Sequence, residues 1–370
     1  MVEKSLSLIS AKRNAKLVKL IVLVIVGLIV FMVVGWVYNK MTLNDRNCTT
    51  MNNLYKDFPV LSTLNITNKQ FSYNLRDYYI KTAYNCCTAG EYKNDFVNVC
   101  ALKNCIRQGA RCLDFEIYSV NDKPVISVSS VDDFSVKETY NSIPFSTAMG
   151  VIADYAFSGS TCPCPGDPLL IHLRIMSNNK TIYSEMADNL YNTLESRLLG
   201  KQYSYENQGK NIGSLPLKDF MGKVIVVADK TNALFEDTPL DEYVNIASNS
   251  IFMRALRYYD VKYTPDMQEL IEFNKKNMTI SMPDLSADAD NPSASLAMKY
   301  GCQMVAMAFQ NFDTNMEYYD EFFDNEGSAF VLKPASLRYV PVTIDMPPPP
   351  PKAYSYKERS VESDYYSFTI

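Results

Sequence analysis

Two carboxylates, an amide and a guanidinium stand where apolar runs of this chain come to an end. Asp114 and Glu116 take alternate positions in the run Cys112 to Tyr118, Arg174 lies near the end of Leu169 to Ile175, and Tyr84 and Asn85 directly follow Tyr78 to Ala83. Alternate residues of a strand point to the same side, so two buried carboxylates at 114 and 116 repel each other unless a cation joins them. The fork of Arg174 is the candidate counter-charge. His172 is the only histidine of the chain; from the middle of its run it reads as part of a buried wall rather than as a proton carrier. Tyr84 is a weak acid for catalysis, with an unperturbed pKa near 10.

Sulfur is the other reactive element. Eight of the nine cysteines precede residue 165, and only Cys302 lies beyond. Clustering of this kind in a chain that faces an oxidising compartment predicts disulfides drawn from Cys48, Cys86, Cys87, Cys100, Cys105, Cys162 and Cys164, with pairings that spacing does not fix. Zinc fits poorly, because one residue separates Cys162 from Cys164 and a single imidazole is present. Adjacent Cys86 and Cys87 lack a base that would make either a nucleophile.

Positioning these groups falls to six strand-like apolar runs: the three above, Val224 to Ala228, Met278 to Met282 and Gln303 to Phe309, with helix-like stretches between them. Continuous apolar strands separated by helices predict an α/β fold with a parallel sheet covered on both faces, and a TIM-like (β/α) barrel is the simplest closure. Chemistry in such barrels sits at the C-terminal ends of the strands, which singles out Asn85, Asp114, Glu116, Val128, Arg174 and Met282.

Before the barrel, Leu20 to Tyr38 carries no charge and would span about 28 Å as a helix, the thickness of a bilayer core. The flank 1–19 is rich in Lys and Arg, which predicts a single-pass signal-anchor with a cytoplasmic N-terminus and an extracytosolic C-terminal domain. Sequons at Asn47, Asn65, Asn179 and Asn277 suit that side of the membrane. Residues 39–68 read as a polar stalk, and 341–370, opened by Pro347 to Pro351, as a proline-rich and Tyr-rich flexible tail able to offer an extended peptide to a protein partner. A net charge of -5 without a basic stripe excludes nucleic acid as a partner.

Longer motifs carry a family likeness. Tyr300 to Gln310, Asn325-Glu-Gly327 and Phe330 to Pro334 with Leu337-Arg338 resemble the end of the Y half of eukaryotic phosphoinositide-specific phospholipase C; Ile106 to Glu116, Lys123 to Ile126, Pro168 to Leu173 and Met221 to Val226 are similar to successive strands of its X half. The resemblance implies an X-like half barrel over 69–230 and a Y-like half over 231–340. It further implies calcium at Asn85, Asp114 and Glu116, with Arg174 in place of the fourth ligand, an acid. The two catalytic histidines of the family fall on Tyr84 and Val128, and its inositol-contacting Arg and Tyr on Ile280 and Met282, so neither set is retained. Cys112 and Cys302 match buried cysteines of the family. What the likeness implies is a membrane-anchored pseudoenzyme that binds a lipid headgroup or a protein through the barrel mouth and needs no cofactor. The alternative is an active phosphoric diester hydrolase with rearranged residues, His172 among them. A lone barrel on an anchor resembles proteins of large DNA viruses, which would place it in a host or virion membrane.

Overall fold

The computed structural model describes residues 2–134, 136–204, 211–341, 347–349 and 357–370, with side chains from Asn14 onward. Helix α1 runs from Val2 to Leu54. Then β1 (Tyr78–Ala83), α2 (Val99–Arg107), β2 (Cys112–Val120), β3 (Lys123–Ser127), β4 (Ile143–Pro144), α3 (Phe145–Tyr155), β5 (Leu169–Ile175), α4 (Lys180–Leu194), β6 (Val224–Asp229), β7 (Ile246–Ser248) and β8 (Met253–Arg257) follow. Beyond β9 (Met278–Met282) and β10 (Met304–Met307), the chain forms the helix Thr314–Glu326 and a short β11 (Phe330–Leu332).

Eight strands pair in the order β7-β6-β5-β2-β1-β10-β9-β8, every ladder along that path being parallel. The result is a nearly closed (β/α) barrel. Its seam lies between β7 and β8, where the Asn249 side chain accepts a hydrogen bond from Ala255 N at 3.2 Å. Strands β1, β5, β6 and β9 are buried at every residue, as apolar strands covered by helices must be. All six strands expected from apolar runs are present. Strands β7 and β8 escaped that reading because β7 has three residues and β8 carries Arg254 and Arg257.

Residues 39–68 are not a stalk. Helix α1 continues unbroken through 39–54, and its last turns lie along α2 in the same direction. Lys40 donates to Asn94 O at 3.1 Å, Asn47 donates to Asp95, Asn98 donates to Asn44 and Asn104 donates to Asn52 at 2.7 Å. Cys48 and Cys100 form a disulfide between the two helices. Past Leu54 the chain crosses beneath the barrel, where Leu64 N donates to Asp167 at 2.7 Å. Because α2 leads from the C-terminal end of β1 to the N-terminal end of β2, the stretch of α1 closest to its apolar segment lies beside the C-terminal mouth. From Leu17 to Tyr38 the large apolar side chains of that segment are exposed, and it is long and apolar enough to cross a membrane.

The expected disulfide framework shrinks to that one bridge. Cys86, Cys87, Cys105, Cys162 and Cys164 are buried free thiols, as are Cys112 and Cys302. Among the sequons, Asn65 is exposed. Asn47 and Asn179 instead spend their amide nitrogens on Asp95 and on Ser119 and Asp122, and Asn277 accepts from Asn211. Residues 339–370 form a separate unit. Within it Ser360–Ser363 and Tyr366–Thr369 pair as an antiparallel hairpin, so the last part of the expected flexible tail has regular structure. Pro350, Pro351 and 352–356 lie outside the described residues.

Candidate functional site at the barrel mouth

Strand register decides which side chains meet. In the β2–β5 ladder Asp114 stands opposite His172 and Glu116 opposite Arg174, and all four point into the barrel on the same alternation. The Arg174 guanidinium donates from Nε to Asp114 Oδ1 at 2.9 Å and from Nη2 to Asp114 Oδ2 at 2.7 Å. It also reaches Glu116 Oε1 at 2.7 Å and Asn85 Oδ1 at 2.8 Å. Asn85 adopts φ of 42°, a left-handed turn that asparagine tolerates better than most residues. That turn lets its backbone N–H donate to Asp114 Oδ2 at 3.1 Å and its amide donate to Glu116 Oε1 at 3.2 Å. The second Glu116 oxygen accepts from Tyr118 Oη and from Ser129 N, each at 3.0 Å.

Charge follows geometry. Burial pushes the Asp114 carboxyl up, but the Arg174 charge and the hydrogen bonds from His172 and Arg174 outweigh it and hold the group well below the usual carboxylate range. Arg174 also loses hydration, yet Asp114, Tyr84 and Glu116 keep its guanidinium more firmly protonated than in water. Burial and the Glu116 charge push the Tyr118 phenol up. The guanidinium of Arg174 lies 4.9 Å from the centroid of the Tyr84 ring, a cation–π contact.

Tyr84, which the resemblance sets at the first family histidine, is buried, and its hydroxyl accepts from Arg257 Nη1 at 2.9 Å. Val128, which the resemblance sets at the second, is a core residue. Ile280 is also core, while Met282 lines the mouth. His172 is fully buried, with Nδ1 at 2.7 Å from Asp114 Oδ1 and Nε2 at 2.9 Å from Ser248 Oγ. Ser248 in turn donates to Asp229 Oδ2 at 3.2 Å. Sequence reading brought together Asn85, Asp114, Glu116 and Arg174 but missed Arg257, Ser248 and Asp229. The signal for Asp229 was present, because it directly follows the run Val224 to Ala228; the other two sit in the short strands at the seam. Above these groups lies a cleft of ≈ 150 Å³ lined by Arg174, Asp229, Asn249, Arg257, Asp260 and Met282 among others.

Comparison with known proteins agrees with this architecture. The model of the phosphatidylinositol-specific phospholipase C X domain matches residues 71–230, and that of the Y domain matches residues 241–336. No curated protein matches the chain in sequence. Among solved structures, PLC21 of L. pealei and PLC21 of S. officinalis are each 18% identical with a TM-score of 0.60; the matches cover 75% and 78% of this chain. The chain corresponds to 39% and 40% of those proteins, so it spans well under half of their length. X and Y models in tandem over most of the chain, on a barrel of that fold, identify it as a member of the phosphatidylinositol-specific phospholipase C X/Y-domain family.

Proposed function

We propose that this protein is a membrane-anchored, catalytically silent phospholipase C barrel that rests its mouth on the headgroups of its own bilayer. The observation that carries this reading is the Arg174 fork. It occupies the oxygens of Asn85, Asp114 and Glu116 that the family resemblance assigns to calcium. A divalent cation there would sit against a buried guanidinium, so this donor set does not fit calcium. Proton transfer has no carrier in the family positions, since Tyr84 and Val128 offer no imidazole. At ≈ 150 Å³ the cleft is also below the roughly 300–1,000 Å³ of ordinary ligand sites, which favours contact with a surface over engulfing a headgroup. Supporting that contact, Val131, Tyr140 and Leu285 stand exposed on loops on the mouth side of the barrel, and Tyr259 on the short helix Tyr258–Lys262 that follows β8. Lys40, two residues past the apolar segment, lies 5.2 Å from the Tyr140 ring.

The test is a release assay with phosphatidylinositol and its phosphorylated forms in proteoliposomes of the full chain, with calcium and with chelator. No inositol phosphate is expected in either. Calcium-dependent release would sink the silent reading. Loss of vesicle co-flotation by the mouth-facing domain, tested with the apolar segment deleted, would instead direct the mouth to a protein. A second reading, hydrolysis by rearranged residues, draws on the hydrogen-bonded series Asp114, His172, Ser248. Release abolished by His172→Ala would establish it.

A further inference from the structure

At the end of the barrel opposite the mouth, a guanidinium is buried without a carboxylate in contact. Arg111, immediately before β2, is fully buried. It donates from Nε to Cys164 Sγ at 3.2 Å, and from Nη2 to Cys162 Sγ and to Ala156 O, the latter at 2.9 Å. Asp167, also fully buried, is the neighbouring acid, but its Oδ1 is taken by Leu64 N. Its Oδ2 and the Arg111 Nη1 have no hydrogen-bond partner. A buried cation needs an anion, and apart from the neutral Ala156 carbonyl the groups hydrogen-bonded to this one are two sulfurs.

We propose that Cys162 and Cys164 form a redox-active thiolate–thiol pair that exchanges electrons with small disulfides and is held ready by Arg111. Cys162 and Cys164 are fully buried, with their sulfurs 4.0 Å apart, in a loop whose residues Thr161, Pro163 and Pro165 are partly exposed. The Cys164 thiol, donating to Cys162, and the Arg111 charge together lower the Cys162 thiol against the opposing effect of burial, whereas Cys164 is raised. Burial and the neighbouring Cys164 push Asp167 up to about 8, so it is largely protonated at neutral pH.

The step balances within this cluster. The Cys162 thiolate attacks one sulfur of a disulfide RSSR, the S–S bond breaks and RS⁻ departs. Cys164 then gives up its proton and its sulfur attacks Cys162, closing the Cys162–Cys164 bond and expelling the second RS⁻. The pair loses two electrons and RSSR gains them. One of the two protons needed to make two RSH comes from Cys164 and the other from Asp167, whose carboxylate replaces the lost thiolate as the counter-ion of Arg111. Charge in the cluster is the same before and after.

The full chain is equilibrated with glutathione buffers of set ratio at pH 6.5 to 7.5, trapped by alkylation and digested for mass spectrometry. The expected result is a Cys162–Cys164 disulfide whose equilibrium constant against glutathione is flat with pH, because no net proton is exchanged with solvent. Asp167→Asn removes the internal proton, so oxidation takes one from solvent and becomes about tenfold less favourable per pH unit. Persistence of both thiols in fully oxidised glutathione overturns the proposal. A tenfold pH dependence in the wild-type chain, which needs no variant to fold, overturns the role of Asp167.

Discussion

Arg174 joins Asp114, Glu116 and Asn85 through four hydrogen bonds inside the barrel. Arg174→Met leaves two carboxylates buried without a cation, a change that costs about 3–5 kcal/mol for a broken buried pair. Urea unfolding at pH 7 should show that loss. The pH dependence has a definite sign. Because the folded Asp114 carboxyl is held below its unfolded value, its contribution is complete above about pH 4 and is lost as pH falls toward the folded value. The gap between wild type and Arg174→Met should therefore narrow in acid. Arg174→Glu makes the opposite change, exchanging the internal cation for a third acid and a fourth oxygen ligand. Titration calorimetry should find calcium binding in that variant and none in the wild type. These four residues were legible in the sequence because Asp114 and Glu116 interrupt an apolar run at alternate positions, and Arg174 and Asn85 lie near or just after the end of one. Arg257 was not, since Arg254 interrupts its five-residue strand and leaves no apolar run to end.

At the scale of elements, the docking of α1 on α2 makes the last turns of α1 a bracket on the barrel. One disulfide and a row of asparagine contacts fasten it. Cys48→Ser opens a loop of about fifty residues, whose closure in the unfolded chain is worth roughly 4 kcal/mol in the loop-entropy account. Stability measured by denaturant should fall by about 2–4 kcal/mol, and limited proteolysis should gain cuts between residues 39 and 68. Loss of the same size in Asn104→Ala alone would mean that the asparagines, not the bridge, hold the helix. Hydrophobic pattern found the barrel strands because both of their faces are buried. It misread 39–54 for the complementary reason. That stretch buries few apolar groups, Met51 being one, and meets the barrel through amides, which in sequence look like a solvated linker.

For the molecule as a whole, the direction of α1 sets which end of the barrel lies nearest the apolar segment. Along the helix from Lys40 to Tyr55, partners pass from the mouth loops at Asn94, Asp95 and Tyr140 down α2 to Arg107, which donates to Lys56 O. If Leu20 to Tyr38 spans the bilayer, the mouth faces it and the Ser62 to Leu64 crossing faces away. Trp36 is the sole tryptophan, so Trp36→Phe gives a silent background for single probes. In proteoliposomes with brominated lipid, Tyr140→Trp should be quenched and Ser62→Trp should not. The reverse pattern would mean that the barrel is held with its mouth to solvent, where a soluble partner and not a headgroup would reach Arg257. Equal quenching of both probes would mean that the bracket is loose, and Cys48→Ser should then change neither. With a firm bracket, Cys48→Ser should weaken the contrast between the two positions, since the helix contacts fix the orientation that contact of the mouth with lipid alone would leave looser.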